Sequence, residues 1–252
     1  MWTDQWRSGA PTVSHRAMTP LVLIHGGSFA ASCWELLTPL LEEPALAVDL
    51  PGRGANGPPG FLTIRGAAAS VTADVDAAGF DEVILVGHSM AGCSLPATIA
   101  QLGERVRHVV FVACTVPENG HCCIDTLPEG IQVLISENRD APPSTMDETM
   151  ARAVFGNDLD DEQFAWCMAR MVPEGLTLLF EPVDLAPLRS PVPRTWIRPL
   201  RDAIVRPDAQ RRFAANVGHC DMIDIDSGHM CMISKPVELA DILNRIAGGV
   251  SG

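Results

Sequence analysis

Ser89, His229 and Asp202 are the side chains in this sequence whose types, and whose order along the chain, could do covalent chemistry. A serine hydroxyl is a weak nucleophile near neutral pH and needs a base within hydrogen-bond reach, itself oriented by a third group. Ser89 lies in Val83-Ile84-Leu85-Val86-Gly87-His88-Ser89-Met90-Ala91-Gly92, where four apolar residues run without a loop into a form of the Gly-x-Ser-x-Gly pattern. Such a run marks a sharp strand-to-helix turn that exposes the serine, and Gly87 and Gly92 are expected to leave room for the crowded backbones. A helix opening at Ser89 or Met90 would aim its unpaired N–H groups and positive dipole end at whatever is bonded to the serine oxygen. The backbone N–H of Met90 is thus one candidate donor to a tetrahedral oxyanion. The other comes from the turn His25-Gly26-Gly27, where Gly27 is preferred because Gly26 serves the bend.

Both partners of the serine have competitors. His229 is preferred as base because Gly228-His229 directly follows a strand pattern. His25 precedes the oxyanion turn, His88 occupies the variable position of the serine turn and points away, and His15, His108, His121 and His219 lack a matching context. Asp202 is preferred as the acid that holds the His229 tautomer. Asp208 lies inside a predicted helix, Asp184 inside a predicted insertion, and Asp224 and Asp226 belong to the strand that already supplies the histidine.

These groups must meet at one edge of a sheet, and the chain has the strands to bring them there. Apolar runs predict strands at 21–24, 45–48, 83–86, 106–112, 194–197 and 220–225. Helical spacing fills the gaps: 34–41 with Ser32 as cap, 63–78, 90–102 bent at Pro96, 207–215 and 236–246. This alternation predicts an α/β fold with a mostly parallel, doubly wound sheet and helices on both faces. Ligands of such sheets sit beyond the carboxyl ends of the strands, so the Ser89 turn and the His25-Gly26-Gly27 turn share an edge. The rhythm breaks between 116 and 188, where amphipathic pieces at 146–155 and 161–171 predict a helical cap inserted into a core of 20–115 and 189–252. Residues 1–19 read as a loose arm, and the natural start could be Met1 or Met18.

The bulk properties narrow the function classes. At 252 residues the chain suits one domain with an insertion. Its 31 acidic and 18 basic residues give a scattered net charge of −13, which argues against nucleic acid or an anionic membrane as partner. No apolar run is long enough to span a bilayer, and the N-terminus lacks a signal-peptide pattern, so a cytoplasmic location is expected. Eight cysteines occur without CxxC or zinc spacing and read as small buried hydrophobes, with Cys122-Cys123 the one pair open to oxidation. Neither a metal nor a cofactor is expected. Leu127, Trp166, Met168, Met171 and Phe180 could line a pocket, though at helical spacing such residues usually form plain core, and no tyrosine is present to hold a substrate. The pattern leaves the oligomeric state open, with a homodimer as the candidate.

Four motifs together carry a resemblance: His25-Gly26-Gly27, Asp49-Leu50-Pro51-Gly52-Arg53-Gly54, Gly87-His88-Ser89-Met90-Ala91-Gly92 and Ser227-Gly228-His229-Met230-Cys231-Met232. The chain resembles the α/β-hydrolase superfamily over roughly 21–248. Within it, Phe111 to Pro117 and the helix start at Ser234-Lys235-Pro236 make it most similar to the plant methylesterase and hydroxynitrile lyase group and its bacterial relatives. The lyase branch carries lysine after the catalytic histidine and threonine, or in another type asparagine, after the first-strand histidine. Here Met230 and Gly26 stand there, which turns the resemblance toward esterases. It implies a cofactor-free serine hydrolase of a small, apolar carboxylic ester working through an acyl-enzyme. Other chemistries of this fold, a lyase, C–C hydrolase or cofactor-free oxygenase with His229 only as base, are the alternative. A small-molecule receptor that keeps the triad comes last.

Overall fold

The computed structural model describes residues 19–57 and 60–250. The arm expected at the N-terminus therefore lies, except for Thr19, outside the described residues, as does His15.

Six strands form one parallel sheet: β1 (Leu21–Ile24), β2 (Ala45–Val48), β3 (Val83–His88), β4 (Val106–Val112), β5 (Arg194–Pro199) and β6 (Asp221–Ile225). Their order across the sheet is β2-β1-β3-β4-β5-β6. The chain steps one way from β1 to β2, then returns past β1 to β3 and walks the other way. The winding therefore reverses between β1 and β3, and the carboxyl ends of those strands flank the crevice where α/β sheets bind ligands.

Alternate strand residues feed two apolar layers. Val22, Ile24, Val83, Leu85, Val109, Phe111 and Trp196 face one side, packed under α1 (Ile64–Ala77), α2 (Ala91–Leu102) and, further along the chain, α6 (Pro207–Val217). Leu21, Leu23, Ile84, Val86, Val110, Val112 and Ile197 face the other, covered by Trp34 and the C-terminal helices α7 (Cys231–Ser234) and α8 (Pro236–Val250). Burial on both faces is why these strands read as continuous apolar runs rather than as alternating ones. Of the two polar residues of β4, Arg107 is exposed and His108 is satisfied across the ladder, 2.9 Å from Thr195 Oγ1.

Between β4 and β5 the chain contributes no strand to the sheet. It forms α3 (Glu129–Glu137), α4 (Glu148–Val154) and α5 (Asp161–Met168), joined by 3-10 turns and two isolated bridges. Aspartates start the last two helices: the Asp147 carboxylate accepts from Met150 N–H and that of Asp160 from Gln163 N–H.

One predicted element is absent. The helix expected over 34–41 is instead two 3-10 turns, Ala31–Trp34 and Thr38–Leu40. Pro39 has no N–H to give and its ring crowds the carbonyl one turn back, a cost that a short, half-exposed stretch does not offset, whereas the longer and almost wholly buried α2 runs through Pro96. Ser32 caps nothing; Ala30 is the N-cap and makes no side-chain bond. Trp34 and Leu37 are buried while Leu36 and Leu40 are exposed, so the apolar residues do not form one stripe. Among the described residues, no helix is long and apolar enough to cross a membrane.

Candidate active site

β3 ends in a bend that only a few sequences tolerate. Ser89 has φ +55°, in the left-handed region, and its backbone is held by three bonds: its N–H donates to Val112 O, and its carbonyl accepts from Gly92 and Thr115 N–H, each 3.0 Å. The room comes from missing side chains. A Cβ on Gly87 would lie 2.7 Å from Leu95 Cδ1, and one on Gly92 would lie 2.5 Å from Thr115 O. Ala91 occupies the place of the second glycine in the strict motif; the crowding falls one residue later, on Gly92. Met90 is the N-cap of α2, which begins at Ala91, so the helix end faces the serine as expected.

The three separated side chains meet. His229 Nε2 is 2.9 Å from Ser89 Oγ, and His229 Nδ1 is 2.8 Å from Asp202 Oδ2. A carboxylate only accepts, so Nδ1 carries the proton and Nε2 offers its lone pair to the serine hydroxyl. Asp202 follows β5 and His229 follows β6, and both are buried. The arrangement can carry a proton from the hydroxyl to the imidazole and stabilise the resulting imidazolium.

The turn after β1 lies across the crevice. A Cβ on Gly26 would stand 2.7 Å from Ser89 Cβ, which is why this turn can approach the serine only with glycine there. Beside it, the position of a Cβ on Gly27 is 3.2 Å from Met90 Cε and 3.4 Å from Glu174 Oε2. The N–H groups of Gly27 and Met90 donate to no protein acceptor among the described residues.

A model described as the alpha/beta hydrolase family matches residues 21–242. The chain belongs to that family. It is 28% identical over 258 residues to the polyneuridine aldehyde esterase of Rauvolfia serpentina, covering 90% of this chain and 94% of that protein. To methylesterase 9 of Arabidopsis thaliana it is 27% identical over 254 residues, covering 91% and 98%. An extracellular α/β-hydrolase from a Paenibacillus species superposes with a TM-score of 0.82 at 22% identity, covering 90% and 98% of the two chains, a likeness of fold.

Around the three residues of this hydrolase stand supports that sequence reading did not find. Asp202 Oδ1 accepts from Ile204 and Val205 N–H, both 2.8 Å, and its Oδ2 takes a long bond of 3.3 Å from Gln210 Nε2. Gln210 is itself fixed, donating to Val205 O and accepting from the Trp196 indole. Its only sequence signal is a polar residue on the inner face of α6. Asp158, from the segment between β4 and β5, accepts Gly228 N–H at 2.6 Å and so grips the loop that carries His229. A Cβ on Gly228 would meet that carboxylate at 2.4 Å.

Two other buried histidines serve as structure. His25 Nδ1–H donates to Gly26 O, and Nε2 accepts from Leu50 N–H. Both nitrogens are satisfied only in the neutral ring, and burial, with the Arg53 charge adding to it, lowers its pKa to about 4. His88 Nε2–H reaches the carbonyl of His229 at 3.0 Å, and the two rings lie 4.6 Å apart. Burial, then the neighbouring His229, drives the His88 pKa well below the usual histidine value.

Of the side chains expected to line a pocket, Trp166, Met168 and Met171 pack against the core layer that contains Phe164 and Cys167. Arg170 covers the Trp166 ring at 3.6 Å, and Arg139 lies over Phe180 at 4.7 Å. The eight cysteines are unpaired; Cys93, Cys114 and Cys231 are buried, and burial raises the pKa of the last two well above the usual thiol value. Cys93 is raised as well, with Cys123 against it as the first cause.

Proposed function

We propose that this chain is a serine hydrolase of small carboxylic esters that works through an acyl-enzyme. The observation that carries the reading is the unbroken hydrogen-bond chain from Ser89 Oγ through the His229 ring to Asp202, at the edge where the winding of the sheet reverses. Relatives whose names are those of esterases agree with it.

Ser89 Oγ attacks the ester carbonyl carbon while His229 Nε2 takes its proton, and Asp202 stabilises the imidazolium. The carbonyl oxygen becomes an oxyanion that accepts from Gly27 and Met90 N–H. Collapse of the tetrahedral species breaks the bond to the alcohol oxygen, which leaves with the proton of His229. A water molecule then gives its proton to His229 and attacks the acyl-enzyme; collapse frees the acid and returns the proton to Ser89. Met90 beside Gly27 and Phe155 beside the His229 ring suit an apolar ester.

The test is labelling with a fluorophosphonate, followed by turnover of p-nitrophenyl and methyl esters by native protein and Ser89→Ala. Native protein should label at Ser89 and release p-nitrophenol in a burst. Ser89→Ala should not label, and its kcat should fall by about 10⁴-fold or more. Equal turnover by the two proteins would remove the mechanism.

A further inference from the structure

The oxyanion turn is held from outside the core. Ser28, directly after Gly27, has φ +63°, a region that disfavours a residue with a side chain. Both of its backbone polar groups are taken by one stretch of the segment between β4 and β5: its N–H donates to Glu174 Oε2 at 2.8 Å, and its carbonyl accepts from Val172 N–H at 2.9 Å. Glu174 is anchored in turn, exchanging two backbone bonds with Ser144. Its second carboxylate oxygen takes a guanidinium N–H of Arg53, whose side chain is fully buried and also reaches Pro51 O.

The ion pair has an electrostatic reason. A bare carboxylate beside Gly27 would repel the negative charge that forms on the substrate oxygen. With Arg53 on its far side, the carboxylate can hold the Ser28 N–H while most of its charge is compensated.

We infer that Glu174 is a positioning residue: it fixes the Gly27-Ser28 turn so that the Gly27 N–H faces the oxyanion, and the hole is complete only while residues 172–174 are seated on the core. The inference rests on the hydrolase reading above. Oxyanion donors act because they are aimed before the reaction begins, so loosening the turn should slow acylation without weakening ground-state binding. A displacement of about 1 Å at such a donor is worth about 100-fold in rate.

Two double variants separate positioning from plain stability. Glu174→Met with Arg53→Met replaces the buried pair by apolar side chains and leaves Ser28 N–H without an acceptor; Glu174→Gln with Arg53→Met removes the charges but keeps an amide oxygen there. With p-nitrophenyl acetate, the burst phase of the first should show acylation about 100-fold slower with the substrate Kd within about threefold of native. The second should recover to within about fivefold of the native rate. Native-like acylation in the first, or equal loss in both, overturns the inference. Should the methionine pair not fold, Val172→Pro removes the other bond to Ser28 without touching a charge: a lower kcat at unchanged KM supports the clamp, and a native kcat overturns it. Ser89→Ala in the same assay separates the two claims, because turnover without the serine defeats the hydrolase reading itself, whereas a dead Ser89→Ala beside fully active clamp variants defeats only this one.

Discussion

Asp202→Asn is the perturbation that isolates the role of the acid, because the surroundings of the carboxylate dictate how the amide must sit. Oδ1 receives two backbone N–H groups, from Ile204 and Val205, both at 2.8 Å. Turning the amide nitrogen toward them would set donor against two donors, so the asparagine oxygen keeps that place and the NH₂ takes the place of Oδ2, 2.8 Å from His229 Nδ1. Nδ1 must then accept, the ring proton moves to Nε2, and Nε2 meets the Ser89 hydroxyl with a hydrogen instead of a lone pair. Gln210 can release its 3.3 Å bond to this atom at little cost, since its 2.7 Å bond to Val205 O remains. The fold should therefore survive while the general base is lost. The expected drop in kcat is about 10⁴-fold, or roughly 5 kcal/mol of transition-state stabilisation, with KM little changed. Burst kinetics on p-nitrophenyl acetate measure the rate, and nitrogen NMR of labelled histidine reads the tautomer. A variant within tenfold of native, with Nδ1 of His229 still protonated, would refute the reasoning and mean that another group orients the ring.

Gly26→Ala should cost about 1–3 kcal/mol of stability and at least tenfold in kcat, because the new methyl would stand 2.7 Å from Ser89 Cβ and 3.1 Å from the His88 ring; urea unfolding and ester turnover check the two halves, and a native-like variant would mean that the turn can back away from the serine. Stability should fall on acidification: His25 titrates near 6.5 when unfolded but at about 4 in the fold, so the unfolded state binds the extra proton between those values and gains as pH drops. His25 should contribute about 2 kcal/mol of the loss between pH 7 and pH 5, with His88 acting in the same direction, and His25→Gln should flatten the slope seen in urea titrations.

What could be read from the sequence was whatever one short stretch encodes. The strands showed as unbroken apolar runs because both faces are covered. Ser89 and His229 showed because glycines and strand ends sit beside them in the chain. The reading failed at 34–41, where a helical spacing of leucines outweighed Pro39, and the proline decided the backbone. It also passed over Gln210, Asp158 and Glu174. Asp158 and Glu174 each act on a backbone N–H of a turn far away in sequence, those of Gly228 and Ser28, and Gln210 bonds the side chain of Asp202 on the turn after β5; none of these contacts has a local pattern. Two of the three come from the segment between β4 and β5, where the period that guided the rest of the chain is missing.

The order of the strands explains why such distant contacts are needed. Ser89 and the Gly26-Gly27 turn follow β3 and β1, which are neighbours, so their closeness is given by the sheet. His229 follows β6, three strands from β3, and strands are spaced about 4.8 Å apart, so it must be carried back across roughly 14 Å on its loop. That loop is held at several points: Ser227 O accepts from Arg201 N–H, Gly228 N–H goes to Asp158, and the His229 carbonyl is caught by His88, the residue just before the serine. His88 thus ties the backbone of His229 to the strand that carries Ser89, and its lowered pKa leaves an uncharged ring beside the one that takes up a proton in the proposed mechanism. A charged ring at that position would oppose the proton transfer that His229 has to make.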